Sequence, residues 1–283
     1  MDDSKFLIIG ANGQLGKALQ QKYPNAKTAD VAELDITNSE AVKSFDWSSI
    51  NTILNAAGYT NVDGAETEEG QAIAWKVNHE AVGNLADIAT EKNLLLVHIS
   101  TAYVFDGSKK IYSEDEPFSP LGVYAKSKAA GDQKAAKVPK HYIVRTDSVI
   151  GEGKTFVRTM LDLGKKGVSP KVVADQTIRP TFTTELVKAI KFLIDKPAEY
   201  GTYNVTNEGD PVSWADFTRA IFKEAGISQK VADITYEQYA DSKPSVAPRP
   251  LNSVLDLSKI ESIGFTPRDW RQDLREYIKK ELV

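Results

Sequence analysis

The chain of 283 residues contains no cysteine, which excludes disulfide bonds, thiolate metal sites and a cysteine nucleophile. Histidine is scarce too. His79, His98 and His141 are far apart and show no metal-ligand spacing, so no metal site is predicted. Basic residues are not in excess, because the formal net charge is -4. Proteins that bind nucleic acid or membrane surfaces favour basic patches, so the charge argues against both classes of partner.

Long apolar runs are also absent. The first apolar run, Phe6–Ile9, is too short for a signal peptide, and no later stretch reaches the roughly 20 apolar residues that span a bilayer. A cytoplasmic protein is therefore the expectation. The charged fraction of 26% and the apolar fraction of 41% are close to globular averages, so the composition predicts a folded core.

Short apolar runs alternate with helical patterns in the first half of the chain. The predicted strands are Phe6–Ile9, Ala26–Ala29, Thr52–Leu54, Leu94–Ile99 and Tyr142–Val144. The predicted helices are Gln14–Lys22, Ser39–Phe45, Ala72–Glu91 and Tyr124–Ala136. This alternation predicts right-handed βαβ crossovers and hence an α/β fold, with a doubly wound parallel sheet of the Rossmann type.

Beyond Thr146 the alternation is less regular. The patterns predict helices over Phe156–Lys165, Thr184–Ile194 and Trp214–Ala225 (with Ser213 as N-cap), a strand over Lys171–Ala174 and a loop over Asp241–Pro250. We therefore expect a dinucleotide-binding domain over 1–147 and a smaller C-terminal lobe over 148–283 that mainly binds substrate. Part of that lobe, about 176–206, is expected to return to the first domain.

A glycine-rich turn between the first strand and the first helix predicts a dinucleotide site. The turn consists of Gly10, Ala11, Asn12, Gly13, Gln14, Leu15 and Gly16. Glycines let the backbone approach a pyrophosphate, and a helix N-terminus offers free N–H groups to it. An ordinary glycine-rich joint would carry the same letters, but the order of strand, turn and helix favours a cofactor.

Acidic and small residues at the next strand ends fit the rest of such a cofactor. Asp30 follows the second strand, where a carboxylate binds the adenosine ribose and disfavours a 2′-phosphate. This favours NADH slightly, but a nearby lysine offsets it, so NADPH and NADH both stay open. Asp35 and Ile36 lie where the chain folds over the adenine, and Ala57 and Gly58 follow the third strand. Surface carboxylates or a close-packed turn would leave the same pattern.

A tyrosine and a lysine on one predicted helix indicate proton chemistry. Tyr124 and Lys128 are four residues apart, hence on one helix face, and an ammonium there is expected to lower the pKa of the phenol. The pair then acts as a general acid towards a carbonyl oxygen, which the Thr101 hydroxyl holds. Two other Tyr-x-x-x-Lys pairs occur, but that of Tyr23 contains a proline and that of Tyr239 falls in the predicted loop. An exposed helical pair is the alternative.

The chain resembles the extended short-chain dehydrogenase/reductase superfamily and, within it, the dTDP-4-dehydrorhamnose reductase family. The likeness covers nearly the whole chain, and several motifs are not shared with sugar-nucleotide epimerases. Besides the glycine turn, the motifs that carry it are Asn55–Asp63, Ser100–Gly107, Tyr124–Gly131, Asp175–Thr181, Asn204–Gly209 and Arg249–Ser253.

The resemblance implies reduction of the 4-keto group of dTDP-4-dehydro-L-rhamnose by NAD(P)H, giving dTDP-L-rhamnose. It implies that Tyr124 donates the proton to the sugar oxygen and that Lys128 also binds the nicotinamide ribose. The implied substrate residues, the first of which is also a cofactor residue, are Thr60, Val62, Thr101, Ala102, Tyr103, Ser148, Arg179, Arg249 and Asn252. A homodimer is compatible with the sequence, which determines neither the oligomeric state nor a need for divalent ions.

Departures from the family pattern leave the sugar open. Ala102 stands where the family usually has aspartate, Ser148 and Ile150 replace a tryptophan and an aromatic residue, and Ile178 replaces a glycine. One alternative is therefore a reductase of another nucleotide-linked 4-ketosugar. Another is a non-catalytic NAD(P)-binding regulatory subunit of the same fold, but the joint presence of Thr101, Tyr124 and Lys128 counts against it.

Overall fold

The computed structural model describes residues 2–196, 198–243 and 245–282. Its strands are β1 (Phe6–Ile9), β2 (Lys27–Ala29), β3 (Thr52–Asn55), β4 (Leu95–Thr101), β5 (His141–Thr146), β6 (Val149–Ile150), β7 (Lys171–Val173), β8 (Thr177–Ile178), β9 (Thr181–Phe182), β10 (Gly201–Asn204), β11 (Val212–Ser213) and β12 (Ala232–Ile234). Its α-helices are α1 (Gln14–Lys22), α2 (Ser39–Ser44), α3 (Glu68–Trp75), α4 (Ala81–Glu91), α5 (Val123–Ala135), α6 (Phe156–Lys165), α7 (Thr183–Asp195), α8 (Trp214–Glu224), α9 (Tyr236–Asp241), α10 (Ser258–Ser262) and α11 (Trp270–Glu281).

Six parallel strands form the central sheet, in the order β10-β5-β4-β3-β1-β2. All four residues of β1 and all four of β3 are buried, which explains why both strands are apolar on both faces. β2 lies on one side of β1, and the next strand along the chain, β3, lies on its other side, so the direction of winding reverses at β1. Ligands bind at such a switch point, outside the carboxyl ends of the strands. The predicted doubly wound α/β fold is confirmed.

Each face of the sheet is covered by its own apolar core. One core joins the sheet to Leu19 of α1 and Leu186 of α7, and the other joins it to Val42 of α2 and Leu85 of α4. A third core lies in the C-terminal half and holds side chains of α6, α8 and α11, including Phe217. The strand β10 and the helix α7 belong to the sheet and its first core, although they follow β6 to β9 in the chain.

Two predicted segments differ from the structure. The predicted helix Ala72–Glu91 consists of α3, a π-helical segment (Lys76–Glu80) and α4. The predicted loop Asp241–Pro250 overlaps α9, which ends at Asp241. The other described residues of this loop have no regular structure, and Pro244 lies outside the described residues. Tyr239 is consequently helical. Within the described ranges, no helix offers the length and apolar character that a bilayer crossing requires.

Candidate active site

The glycine turn after β1 is shaped by close backbone contacts. Gly10 has a φ of 75°, and a Cβ atom there would lie 2.6 Å from the Ala57 nitrogen, which follows β3. A Cβ atom at Gly16 would lie 2.1 Å from the Gly10 carbonyl oxygen. Helix α1 begins at Gln14, and no side chain caps its first N–H groups. The turn therefore leaves room and open donors for a phosphate group, at the switch point of the sheet.

The predicted ribose and adenine residues surround this turn. The Oδ2 atom of Asp30 accepts a hydrogen bond from the backbone of Asn12 at 3.0 Å, so this carboxylate lies against the turn. Asp35 accepts two hydrogen bonds from Thr37, which lower the pKa of its carboxyl group. Ile36 is 6% exposed and packs in the second core. Only the backbone of Ile36 is therefore available to a cofactor. The same holds for Leu15, whose side chain is also buried.

The loop after β3 forms the next part of the site. The amide of the buried Asn78 holds the backbone of Tyr59 through two hydrogen bonds, of 2.9 and 3.1 Å, and donates a third to Ser127 of α5. This loop contains Gly58 and Thr60, both exposed, and the half-buried Val62. Asn78 therefore fixes the loop against the helix that carries Tyr124.

Three side chains converge at the carboxyl end of β4. Thr101 ends β4, and its hydroxyl lies near enough to the phenol of Tyr124, in the first turn of α5, to influence the pKa of that phenol. Lys128 lies one turn further along α5, and its Nζ atom donates to the carbonyl oxygen of Ile99 at 2.6 Å. The structure thus brings together the three residues that the sequence nominates for catalysis.

Burial controls the protonation of both titratable groups of this trio. It raises the pKa of Tyr124 to about 12, although the nearby Thr101 hydroxyl lowers it in part. It lowers the pKa of Lys128 to about 8, while the Asp132 carboxylate acts in the opposite direction. The expected lowering of the Tyr124 pKa is therefore wrong for this structure, because desolvation of the phenol dominates. At neutral pH the phenol holds its proton, as a general acid must.

A second wall of the site is formed by Tyr103, which follows β4, and by the segment around Arg249 in the C-terminal half. The ring of Tyr103 packs edge-on against Tyr124, with 6.3 Å between the ring centroids. Arg249 lies close enough to act on Tyr103 electrostatically, and its Nη1 atom is 2.7 Å from the Oδ1 atom of Asp63. The same carboxylate oxygen accepts a hydrogen bond from the backbone of Ala247 at 3.0 Å. The segment around Arg249 is thereby fastened to the loop after β3.

Asp147 is a buried carboxylate directly behind this wall. It follows β5 and is 3% exposed. Its Oδ2 atom accepts hydrogen bonds from the Ser253 hydroxyl at 2.7 Å and the Arg179 backbone at 3.2 Å, and its Oδ1 atom accepts from the Ser148 hydroxyl at 3.0 Å. Ser148 itself has a φ of 45°, a left-handed conformation that is uncommon for serine. Asp147 therefore links the sheet to two segments of the C-terminal half, those of Arg179 and Ser253.

We expect Asp147 to make stability depend on pH. Burial raises the pKa of Asp147 from 3.8 to about 6, so the folded protein binds this proton more tightly than the unfolded chain. Its contribution to stability is therefore greatest at low pH and is lost as the pH rises through 6, by roughly 3 kcal/mol in all. Urea unfolding measures the free energy of unfolding at about pH 5 and pH 7. The difference between these two values should be smaller for Asp147→Asn than for the wild type. Equal differences would contradict the expectation.

Several predicted substrate residues do not face the trio. Ala102 is 1% exposed because it opens a 3-10 helix (Ala102–Val104) whose side chains pack with Phe105 and Leu255, so the prediction that it lines the sugar pocket is wrong. The Arg179 guanidinium binds the Leu255 carbonyl oxygen at 3.1 Å and lies among acidic side chains, an unsuitable place for a diphosphate. Asn252 donates its amide to the carbonyl oxygen of Lys109 at 2.6 Å.

The other departures from the family pattern also lie in apolar cores. Ile150 is 3% exposed and Ile178 is 2% exposed, and both pack in the third core. Ser148, which is half-buried beside Asp147, is the departure that borders the site. The question of sugar specificity therefore concentrates on Ser148.

Three polar residues at the site escaped the sequence analysis, namely Asn78, Asp132 and Asp147. Each is nearly or fully buried, with at most 3% exposure. A signal existed for the first two, because both occupy inward positions of predicted helices, where an apolar residue is the norm. Asp147 comes shortly after a predicted strand, but nothing in its spacing distinguishes it from a surface carboxylate.

The site as a whole fits a bound dinucleotide beside a proton donor. The glycine turn would hold the pyrophosphate, Asp30 the ribose and Lys128 the second ribose. Tyr124 and Thr101 would then face a carbonyl oxygen placed next to the nicotinamide. Among the described residues, no cluster of three or more His, Asp and Glu side chains could hold a metal ion.

Comparison with known proteins gives concordant results. A family model described as the RmlD substrate binding domain matches residues 4–283. A curated relative from Aggregatibacter actinomycetemcomitans, dTDP-4-dehydrorhamnose reductase, is 41% identical, with 96% of this chain and 97% of that protein covered.

Solved structures agree over the same length. The crystal structure of a dTDP-4-dehydrorhamnose reductase from Clostridium acetobutylicum is 39% identical and superposes with a TM-score of 0.91, covering 98% of this chain and 99% of that one. The enzyme of that name from Bacillus anthracis, solved in complex with NADP, is 33% identical with a TM-score of 0.90, and the match covers 97% and 98% of the two chains.

Proposed function

Because the chain belongs to the dTDP-4-dehydrorhamnose reductase family, we propose that it uses NAD(P)H to reduce the 4-keto group of a dTDP-linked 6-deoxysugar. The observation that carries the proposal is the convergence of Tyr124, Thr101 and Lys128 at the carboxyl end of β4, beside the glycine turn. The named substrate is dTDP-4-dehydro-L-rhamnose and the product is dTDP-L-rhamnose.

Each residue of the trio has a distinct task. When bound, the reduced nicotinamide supplies a hydride to the carbonyl carbon. The Thr101 hydroxyl orients the carbonyl oxygen towards the phenol, and Tyr124 gives that oxygen its proton as the alcohol forms. Lys128 holds the ribose and places a positive charge near the phenolate that remains, until a proton from solvent restores it. Ketone, reduced cofactor and one proton thereby become alcohol and oxidised cofactor.

A coupled assay tests the proposal. The unstable 4-keto substrate is generated in the cuvette, and the absorbance of NADPH or NADH is followed at about 340 nm. We expect turnover by the wild type and none above background by Tyr124→Phe. No difference between the two proteins would contradict the proposal.

Ser148 supports a related activity on another nucleotide-linked 4-ketosugar. A serine beside Asp147 leaves more room than the tryptophan of the family pattern and offers a hydroxyl to the ligand. We expect Ser148→Trp to raise kcat/KM for dTDP-4-dehydro-L-rhamnose if the native substrate is a bulkier sugar, and to lower it if rhamnose is the natural product. The sign of that change distinguishes the two substrates.

Asp30 is expected to influence the choice between the two cofactors. Its carboxylate lies against the glycine turn, where it repels a 2′-phosphate on the adenosine ribose. Removing one charge at such a surface site should change the binding free energy of the 2′-phosphate by about 1 kcal/mol. Asp30→Asn keeps an acceptor for Asn12 and should raise the ratio of kcat/KM for NADPH over NADH by about fivefold. Asp87→Asn, an exposed carboxylate on α4, serves as control and should leave the ratio unchanged.

A further inference from the structure

A cluster of buried polar side chains surrounds and includes Lys128 of the catalytic trio. This buried polar cluster consists of Asn55, His98, Ser100, Lys128, Asp132 and Arg145, none more than 5% exposed. They come from β3, β4, β5 and α5. Removing charged groups from water is costly unless they are paired, so such a cluster requires an account of its charges.

Asp132 is the acidic member of this cluster and lies at its centre. It follows Lys128 by one helical turn on α5, and its Oδ2 atom accepts a hydrogen bond from the Ser100 hydroxyl at 2.6 Å. The same oxygen is 3.6 Å from the Arg145 guanidinium. Burial raises the pKa of the Asp132 carboxyl group, while the buried cations Arg145 and Lys128 act in the opposite direction.

Neutral residues complete the surroundings of Asp132. His98 presents Nε2 to the Oδ1 atom of Asp132 at 3.6 Å, while its Nδ1 atom accepts a hydrogen bond from Asn55 at 3.1 Å. Burial lowers the pKa of His98 well below its ordinary value, so the imidazole is neutral. Asn55 in turn accepts a hydrogen bond from the backbone of Ala57 at 3.2 Å. The contacts therefore run from Asp132 to the loop beside the glycine turn.

We propose that Asp132 is a positioning residue for the reaction: it keeps Lys128 charged and pointed at the nicotinamide ribose, and Arg145 limits how strongly it does so. This inference rests on the proposed function. The Nζ atom of Lys128 donates to a neutral carbonyl oxygen, which orients the ammonium but supplies no opposite charge. The Arg145 guanidinium packs against the rings of Phe105 and Phe118, at 5.1 and 5.5 Å from their centroids, which fixes its position beside Asp132.

The groups that face Lys128 and Asp132 define how binding should depend on pH. They are His98 and Ser100 from β4, Arg145 from β5 and Tyr124 from α5 itself. Loss of the Asp132 charge makes Lys128 lose its proton at lower pH. Without the Arg145 charge, Lys128 is the cation that still interacts with Asp132. Lys128 should then keep its proton to a higher pH.

The test is the affinity for NADPH as a function of pH, measured by fluorescence titration without any sugar, with the pH profile of kcat/KM as a second readout. In Asp132→Asn, the loss of affinity at high pH should begin about one pH unit lower than in the wild type. In Arg145→Gln, the loss of affinity should begin at a higher pH than in the wild type. Asp132→Glu, which keeps the charge, should restore the wild-type pH dependence.

Matched controls separate this role from a structural one. Asp273→Asn removes a carboxylate of similar burial on α11, which binds Asn207 and Arg268, and should leave the pH dependence unchanged. A uniform loss of affinity at every pH in Asp132→Asn, without a shift, would overturn the proposal. If that variant does not fold, the absence of an upward shift in Arg145→Gln overturns it instead. Wild-type protein that binds no NADPH would contradict the proposed function itself.

Discussion

Replacing Tyr124 with phenylalanine is expected to lower kcat by about a hundredfold to ten-thousandfold, the usual contribution of a general acid. The change removes only the hydroxyl group that Thr101 orients, and the ring can keep its edge-on contact with Tyr103. The affinity for NADPH should therefore remain within about twofold of the wild-type value. Single-turnover kinetics and fluorescence titration measure the two effects separately.

The chain contains its own control for this substitution. Tyr239 and Lys243 have the same spacing as the catalytic pair, and the Nζ atom of Lys243 is 2.6 Å from the phenolic oxygen of Tyr239. In this second pair Tyr239 belongs to α9 and Lys243 follows that helix, so neither residue is part of β4 or α5. Tyr239→Phe should leave kcat unchanged. An equal fall in both variants would assign the loss to something other than proton donation.

Replacing Gly16 with alanine should nearly abolish cofactor binding. The added Cβ atom would lie 2.1 Å from the Gly10 carbonyl oxygen and 2.8 Å from two backbone atoms of Ala11. Backbone atoms cannot rotate away as a flexible side chain can, so the turn must open. We expect the free energy of unfolding to fall by about 1–3 kcal/mol and the Kd for NADPH to rise by more than tenfold.

Gly83 of α4 provides the matched control, at a helical position outside the glycine turn. A Cβ atom there would meet only the Lys134 side chain, at 3.7 Å or more. Because alanine is a better helix former than glycine, Gly83→Ala should raise the free energy of unfolding by up to about 1 kcal/mol. Thermal or urea unfolding of both variants, with NADPH titrations, measures this contrast. Unaltered binding by Gly16→Ala would contradict the assignment of the turn.

The sheet and the catalytic helix could be predicted from sequence because their patterns are local. The apolar run Phe6–Ile9 has the bounds of β1, and the periodic segments Gln14–Lys22 and Phe156–Lys165 have the bounds of α1 and α6. The spacing of Tyr124 and Lys128 likewise fixes a shared helix face without knowledge of the rest of the fold. The family resemblance supplied the substrate class, which no local pattern contains.

Other features depend on contacts between distant parts of the chain. Nothing local shows that Ala102 faces a core containing Leu255, or that Arg179 turns towards the carbonyl oxygen of the same residue. The direction of the Tyr124 pKa shift was missed for a related reason, because the spacing indicates a neighbouring ammonium but not the depth of burial. The π-helical break before α4 matches a close approach to α5, where a Cβ atom on Gly131 would lie 2.0 Å from the Asn78 carbonyl oxygen.

The edge strand β10 of the central sheet comes from the C-terminal half of the chain, which limits where the polypeptide can be divided. Strand β10 begins at Gly201, yet it pairs with β5, which ends at Thr146. A fragment cut after residue 147 would leave the edge of β5 unpaired, with Tyr142 and Val144 stripped of the apolar cover that α7 provides. Exposed strand edges of this kind promote self-association. The nucleotide-binding half is therefore expected to aggregate when expressed alone, and a split version of this enzyme would have to be broken beyond residue 204.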